Sequence, residues 1–415
     1  MELAEHFFRR EAGPLIAALT RIFGVHNLAL AEDVVQDAFC RATEVWRVRG
    51  VPENPSAWLM ATAKNRALDR VRRERTALTF APLLSRHLES EWTLAPAVND
   101  AFEPAAVRDG QLQMMFSCCH PKLPEEAQLA LILNILCGFG AHEIAAAFLT
   151  GRAAIEKRIS RGKQALATAK ELFDLAGNDI EARLPTVQRA LYLLFNEGYH
   201  GASAETPVHA ELCDEAIRLV ALLREHPPAA TPATDALAAL MHLHAARLPA
   251  KVDSAGDLSA LVHQDRSRWD AERIAAGLEL LGRSARGNEV TPYHLEAAIA
   301  AEHASAPTLA ETNWGTIVSL YDKLMALAPS PVVALNRAIA IAERDGAEAG
   351  LQAMRVIEDT ARLATYPFYQ AALGELELRR GDRAAAAVHF RAALAVARSE
   401  PERRFLEKRI AAAEG

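Results

Sequence analysis

Residues 54–75 read NPSAWLMATAKNRALDRVRRER and give the clearest indication of the fold. Spacings of three and four residues place three arginines on one stripe of a helix: Arg66, Arg70 and Arg73. Three apolar residues are expected on roughly the opposite side, facing a core: Ala61, Leu68 and Val71. The pattern predicts an amphipathic helix whose basic stripe suits a nucleic-acid backbone. An ordinary solvated face explains the stripe equally well.

A second basic segment, residues 151–166, reads GRAAIEKRISRGKQAL and fits the second helix of a helix-turn-helix. The first helix is predicted at residues 141–148, the turn at residues 149–151, and the second helix from Arg152 onward. One face of the second helix is apolar: Ile155, Ile159 and Leu166. The other face is small or basic: Ala154, Lys157, Arg158 and Arg161. A helix divided in this way is suited to insertion into a DNA major groove.

The composition favours an all-α protein with several domains. Of the 415 residues, 51% are hydrophobic and only 6% are aromatic, and the abundant alanine favours helix. The alternating patterns of strands are nearly absent. The formal net charge is −7, but residues 64–75 carry a local charge of +4 and residues 150–170 carry +5. Because local patches set the attraction to phosphates, the total charge does not exclude a nucleic-acid partner.

The cysteines and the apolar segments indicate a soluble, cytoplasmic protein. The chain has five cysteines, scattered over its length. An odd number cannot all be paired, which argues against a disulfide framework. No signal-peptide pattern opens the sequence, and the longest apolar run, residues 129–141, is too short to span a bilayer. Adjacent Cys118 and Cys119, with His120, have poor spacing for a metal. We therefore expect no membrane span, no metal and no cofactor.

Changes in pattern divide the chain into four regions: a helical block at residues 1–75, a proline-broken linker at 76–108, a smaller helical block at 109–172, and an alanine- and leucine-rich helical region at 180–415. Fully extended, the linker reaches up to ~110 Å. In the last region, Gly346 and Gly381 follow similar segments 35 residues apart. This spacing is close to the roughly 34-residue period of tetratricopeptide repeats. Unrelated alanine-rich helices are the alternative.

A third motif precedes the arginine-rich helix. Residues 31–46 read AEDVVQDAFCRATEVW, in which Asp33, Gln36 and Asp37 share one helix face. Taken alone, this is most simply a solvated acidic face. However, DVVQDAF, PSAWL and KNRALDRVRRER, in that order and spacing, resemble region 2 of bacterial extracytoplasmic-function sigma factors.

The resemblance implies roles for particular residues. In that family the acidic helix docks on the clamp helices of the RNA polymerase β′ subunit, and the matching positions are Asp33, Gln36 and Asp37. The next helix and its preceding loop, here residues 49–56, engage the promoter −10 element with a base flipped from the stack. The matching helix positions are Asn65, Arg66, Asp69, Arg70, Arg72 and Arg73. Trp58 is expected to anchor the core rather than to stack on a base.

The helix-turn-helix resembles region 4 of the same family, which reads the −35 element. The resemblance implies docking on the polymerase β flap and DNA contacts from Arg152, Ala154, Lys157, Arg158, Arg161 and Lys163. A small residue is usual where Leu149 stands, so a differently shaped turn is expected.

The segments LPTVQRALYLLFNEGYHG, HQDRSRWD and PYHLEAAIAAEHASAP resemble the sigma-factor subgroup that carries a tetratricopeptide-like tail. Helical repeats of this kind present a concave groove to peptides or protein segments. The resemblance therefore implies an unknown protein or peptide partner. It also implies either regulation of the sigma modules in cis or added polymerase contacts.

We predict an all-α sigma factor that directs core RNA polymerase to particular promoter DNA and has no catalytic residues of its own. One alternative is a regulator with a helix-turn-helix and a tetratricopeptide sensor that never replaces sigma. The other is an enzyme with a site around Glu197 and His200, where Asn196 and Tyr199 also lie. Such an enzyme requires a substrate-sized pocket with perturbed ionisable groups.

Overall fold

The computed structural model describes residues 2–23, 27–78, 100–119, 123–147, 150–168, 177–200, 208–253, 259–364, 366–397 and 400–415. The secondary-structure elements in these ranges are helices, which confirms the all-α prediction. Among these helices, none is both long enough and apolar enough to cross a membrane. The chain divides into two compact units, residues 1–191 and 192–415. The predicted linker falls largely on residues 79–99, which lie outside the described ranges.

The first block of the first unit is formed by three long helices: α1 (Glu2–Phe23), α2 (Leu28–Arg49) and α3 (Pro55–Leu78). Each helix packs against the other two. Their core is built from alanine, leucine and valine at helical spacing: Leu15, Ala18, Leu19, Ala31, Val34, Val35, Ala38, Leu59, Ala63 and Ala67. Because many of these side chains are small, the helices can approach one another closely.

The second block contains shorter helices: α4 (Pro104–Cys118), α5 (Glu125–Leu131), α6 (Ala141–Ala147) and α7 (Arg152–Thr168). Helix α5 continues into a π-helical turn at Ile132–Leu136. The Asn134 side-chain amide donates to the Phe139 carbonyl oxygen at 2.8 Å. This hydrogen bond holds the turn that precedes α6. Helices α5 and α6 both pack against α7, so they support the predicted recognition helix.

The two blocks pack against each other through α1, which contacts α4 and the π-helical turn. The Arg21 guanidinium donates to the Ala106 carbonyl oxygen at 2.9 Å. Gly13 lies against the Leu136 carbonyl group, at a distance where a Cβ atom would overlap the oxygen. Glycine at this position therefore permits the close approach of α1 to the turn.

An ion pair links α2 to α7 across the same junction. The Lys163 ammonium donates to Glu32 Oε1 at 2.5 Å, and both side chains are about three-quarters buried. Cys118 lies close to this pair, and burial raises the pKa of its thiol to about 12 despite the opposing effect of the Lys163 charge. A partly buried pair is screened less by water and salt than an exposed one.

Helix α8 (Gly177–His200) crosses the boundary between the units, and the second unit continues with further helices: α9 (Ala210–Glu225), α10 (Pro232–Ala245), α11 (Leu248–Lys251), α12 (Ala271–Ser284) and α13 (Pro292–Ser305). The apolar helix α10 packs against α9, α12 and α13. Thr231 caps α10 by accepting from the Thr234 N–H at 3.2 Å, and Asp270 caps α12 by accepting from the Arg273 N–H at 3.0 Å. These caps satisfy amides that the helices leave unpaired.

The remaining helices pack in sequential order: α14 (Trp314–Leu327), α15 (Pro331–Asp345), α16 (Ala347–Arg355), α17 (Pro367–Arg380), α18 (Arg383–Ala395) and α19 (Glu400–Glu414). Gly346 joins α15 to α16 with φ of +96°, and Gly381 joins α17 to α18 with φ of +93°. Both glycines thus adopt the left-handed region that disfavours other residues. Their ψ angles differ, however, at 165° for Gly346 and 1° for Gly381, so the two turns have different shapes. The repeat and its assignment to the tetratricopeptide type stay predictions.

We expect the ion pair between Glu32 and Lys163 to couple the stability of the two blocks. In a double-mutant cycle of Glu32→Gln and Lys163→Met, the interaction free energy should be about 1 kcal/mol, at the upper end of values for accessible pairs. Urea denaturation of the full chain measures this quantity. The matched control is Arg41 with Glu44, an exposed pair 3.2 Å apart on α2, for which about 0.3 kcal/mol is expected. Equal coupling in the two cycles would contradict the prediction.

Candidate nucleic-acid and polymerase interface

The structure places the predicted polymerase-binding residues on the solvent face of α2. Asp33, Gln36 and Asp37 are all exposed, whereas Val34 and Val35, between them in sequence, are 2% and 3% exposed. The helical spacing explains this division, because positions i, i+3 and i+4 share one face. The three side chains thus form one polar surface on α2, held by a helix whose other face is fixed in the core.

The start of α3 is held in place by polar contacts. Asn54 Oδ1 accepts from the Ala57 N–H at 3.0 Å, which is the contact of a helix cap. The Ser56 hydroxyl donates to Glu11 Oε1 at 2.8 Å and ties this end of α3 to α1. Trp58 is half-buried and meets Trp46 edge-on, with ring centroids 5.5 Å apart. The loop before α3 is therefore anchored at its carboxyl end.

The faces of α3 differ in part from the sequence expectation. The buried line is Leu59, Ala63 and Ala67, each fully inaccessible. Ala61 is exposed and Leu68 is half-buried, so the expectation that they face the core was wrong for Ala61. The reason is the helical spacing: the buried positions are four residues apart, and Ala61 lies two residues from Leu59 and Ala63, on another face of the helix.

The predicted −10 residues lie on the accessible side of α3. Asn65, Arg66 and Asp69 are exposed, and Arg70 is half-buried. The side chains of Val71, Arg72 and Arg73 lie outside the described part of the structure. The accessible side of the helix therefore combines cationic groups with amide and carboxylate groups.

Helix α7 has the two faces that the sequence predicts. Ile155, Ile159 and Leu166 are buried. Most of the predicted −35 residues are exposed, and Arg158 is half-buried: Arg152, Ala154, Lys157, Arg158 and Arg161. The helix begins at Arg152, as predicted, and the first helix of the motif begins at Ala141. Residues 148 and 149 of the turn lie outside the described ranges.

Ion pairs orient some of these cations. Arg158 pairs with Glu126 of α5 at 2.6 Å, and Arg152 pairs with Glu156 at 2.7 Å. The sequence reasoning did not find Glu126, because its partner lies far along the chain. Lys163 is half-buried, and Glu32 of α2, in the other block, holds its ammonium group. A DNA contact by Lys163 would require exchange of that ion pair.

The residues that were set aside as metal ligands do not form a metal centre in the described structure. Cys118 and Cys119 are buried, and burial raises the pKa of both thiols, which keeps them protonated. His120 lies outside the described residues. Within the described ranges, no group of three histidine, cysteine, aspartate or glutamate side chains is arranged to hold a metal ion.

Comparison with known proteins finds three family models that match separate parts of the chain. Residues 7–77 match the family model of sigma-70 region 2, residues 113–166 match that of sigma-70 region 4, and residues 183–285 match a family of unknown function, DUF6596. An uncharacterized protein of Rhizobium meliloti (strain 1021), R00370, is 38% identical over 95% of this chain and 92% of its own length. No solved structure matches the chain significantly. The chain belongs to the sigma-70 family, as an extracytoplasmic-function type sigma factor with a C-terminal extension.

Proposed function

We propose that the chain binds core RNA polymerase through the polar face of α2 and thereby directs the enzyme to a specific set of promoters. The observation that carries the proposal is the exposure of Asp33, Gln36 and Asp37 together on one face of a helix whose apolar face, with Val34, Val35 and Ala38, is buried in the core. A fixed carboxylate surface is complementary to a cationic partner surface and favours fast, specific association. The β′ clamp helices are the partner that the family resemblance suggests.

The −10 element is the proposed ligand of α3 and of the loop at residues 49–56. Arg66 and Arg70 can neutralise phosphates, while Asn65 and Asp69 present hydrogen-bonding groups to an unstacked base. Capture of single-stranded DNA needs both kinds of contact. The Asn54 cap and the hydrogen bond of Ser56 to Glu11 support the proposal, because they hold the start of the helix against α1.

The −35 element is the proposed ligand of α7. Lys157 and Arg161 are four residues apart and exposed on the face opposite Ile155 and Ile159. A helix supported from behind and cationic in front can lie in a major groove with its side chains toward the bases and phosphates. We propose in addition that the second block docks on the polymerase β flap.

The helical pairs of the second unit are proposed to regulate the two sigma modules or to add polymerase contacts. Consecutive packing of α14 to α19 produces the kind of surface on which helical repeats bind a peptide or protein segment. We propose that the protein acts in the cytoplasm, where its polymerase and DNA partners are found.

The alternative function is that of a helix-turn-helix regulator that never replaces sigma. The matching of residues 7–77 to sigma-70 region 2 disfavours it, because a regulator needs no such module. The two functions differ in one measurable property, which is binding to core polymerase that lacks its own specificity subunit.

Reversal of charge on α2 should weaken binding to core polymerase. We expect Asp33→Lys with Asp37→Lys to raise the Kd by roughly tenfold or more, because like charges then face each other across the interface. Surface plasmon resonance with immobilised core enzyme measures the Kd. The control is Glu44→Lys, an exposed change near the other end of the same helix, which should have a small effect. Unchanged affinity in the double variant would favour the alternative function.

Removal of two cations from α7 should weaken binding to −35 DNA and reduce its salt dependence. We expect Lys157→Ala with Arg161→Ala to lower the slope of log K against log[salt] by about 2, since two phosphate contacts are lost. Fluorescence anisotropy with labelled duplex promoter DNA and the holoenzyme measures the slope. Arg355→Ala, an exposed change in the second unit, is the control. A slope that matches wild type would show that these side chains do not contact phosphates.

A further inference from the structure

The second unit contains a group of cations that lack acidic partners, which we call the cationic cluster: Arg247, Lys251 and Arg266. Elsewhere in this unit, partly buried arginines pair with carboxylates, as Arg218 does with Glu215 at 2.7 Å and Arg224 with Asp235 at 2.5 Å. Among the described residues, no carboxylate lies within ion-pair distance of the three cluster cations. The cluster therefore departs from the rule that buried charges are paired.

Neutral groups hold the three cations in place. The Lys251 ammonium donates to the Tyr199 carbonyl oxygen and lies 3.4 Å from the centroid of the Tyr199 ring. The Arg266 guanidinium donates to the His303 carbonyl oxygen at 2.8 Å and to Thr312 Oγ1 at 3.2 Å. These contacts fix the geometry of the cluster, and within the described ranges none of them supplies a negative charge.

Two of the guanidinium groups share one aromatic ring. Arg247 lies 5.5 Å and Arg266 lies 4.9 Å from the ring centroid of Trp269. Cation–π contacts of this kind orient a guanidinium, but they supply no formal negative charge. The residues come from distant parts of the sequence, so the fold itself assembles the cluster.

Several buried polar atoms around the cluster have no hydrogen-bond partner among the described residues. The Tyr199 hydroxyl and the Trp269 indole N–H belong to side chains that are 4% and 7% exposed. Nδ1 of His244 and of His303 is likewise buried and unpaired within that part of the chain. Unpaired buried polar atoms are costly unless a water or a ligand meets them, and their grouping around the three cations is the arrangement expected of a polar ligand site.

Three histidines around the cluster have lowered pKa values. Burial and the charges of Lys251 and Arg247 lower the pKa of His200 to about 3. Burial also lowers the pKa of His303 to about 4 and that of His244 well below its ordinary value. These histidines are neutral near pH 7, so they can donate or accept hydrogen bonds without adding charge.

We propose that the cationic cluster is a binding site for a small oxyanion, whose negative group is held by Lys251 and Arg247. An oxyanion supplies the missing negative charge and accepts hydrogen bonds from ammonium and guanidinium groups. The Tyr199 hydroxyl can donate a further hydrogen bond. The chemical class is a carboxylate or a tetrahedral anion of the sulfate and phosphate type. Except for His303, the residues of the site lie within 183–285. The family model that matches this range gives no function.

The site also provides a means of regulation, and this second step rests on the proposed function. If the second unit regulates the sigma function, as proposed above, an anion that stabilises the folded state of that unit changes transcription. The binding step can be tested in the purified chain, without polymerase or DNA. Failure of one step is therefore distinguishable from failure of the other.

The test titrates the full chain with sodium sulfate and with sodium acetate at constant ionic strength in sodium chloride, followed by isothermal calorimetry and thermal unfolding. Saturable binding of at least one oxyanion is expected. Lys251→Met and Arg247→Met should each weaken it roughly tenfold or more. Lys323→Met, an exposed change on α14, should leave it unchanged. The proposal is overturned if neither sulfate nor acetate binds saturably. It is also overturned if binding persists unchanged in Lys251→Met.

The stability of the variant separates a ligand role from a structural one. If Lys251 serves the fold, Lys251→Met lowers the Tm of the anion-free chain. If Lys251 instead serves a ligand, the substitution does not lower the Tm, because a methionine of similar size removes a buried charge that has no acidic partner among the described residues. We therefore expect the Tm of anion-free Lys251→Met to equal or exceed that of wild type. A marked loss of Tm together with retained anion binding would assign Lys251 to the fold alone.

The pH dependence gives an independent readout at Lys251. Burial and the Arg247 charge lower the pKa of Lys251 to about 7. Of its described neighbours, Cys213 and Tyr199 have raised pKa values and stay neutral, and the three histidines are neutral above pH 6. Sulfate keeps its charge throughout, so its affinity should fall as the pH rises from 6 to 8. In Lys251→Arg, binding should persist without this fall. A pH-independent wild type would contradict the assignment.

Discussion

The close approach of α1 to the π-helical turn at Ile132–Leu136 determines how the first unit is arranged. It is possible because Gly13 has no side chain at the point where the Leu136 carbonyl group meets the helix. Helix α1 also contacts α4. In the same arrangement α7 lies close enough to α2 for Lys163 to pair with Glu32. The polar face of α2 and the cationic face of α7 both stay exposed in this arrangement. The junction therefore sets which surfaces of the two modules are accessible.

This arrangement bears on how two DNA-reading modules work in one chain. Helix α3 ends at Leu78 and α4 begins at Pro104, and the intervening residues 79–103 could, if fully extended, span up to ~80 Å. One DNA turn is ~34 Å, so modules that read elements a few turns apart cannot keep the contacts of α1 with α4 and the turn. Those contacts would have to be exchanged for contacts with polymerase and DNA. At this junction such an exchange would include the glycine contact of Gly13 with Leu136 and the partly buried ion pair of Lys163 with Glu32.

The sequence predicted the local features and missed the long-range ones. Helical spacing alone was sufficient to place Asp33, Gln36 and Asp37 on one face and to divide α7 between Ile155 and Lys157, because periodicity determines which side chains share a face. It failed at Ala61, because Ala61 lies two residues from the buried Leu59 and Ala63, on another face of α3. Neither the junction at Gly13 nor the ion pair of Lys163 with Glu32 could be predicted, because each joins residues more than 100 positions apart. The cationic cluster was only partly visible: Tyr199 and His200 were noted, while Arg247, Lys251 and Arg266 come from other elements.

The cationic cluster is hard to explain as a contribution to folding. An apolar side chain in place of Lys251 would avoid the desolvation of an amine whose pKa is already lowered to about 7. Arg247 lies beside it, so each cation raises the cost of charging the other. Structural arginines of the same unit avoid this cost by pairing with carboxylates, as Arg273 does with Asp214 at 2.8 Å. A fold can keep an arrangement that lowers its own stability when a ligand supplies the missing charge. The same physical argument explains why the cluster combines fixed cations with neutral histidines: the cations supply the attraction, and the unpaired nitrogen and hydroxyl groups supply direction.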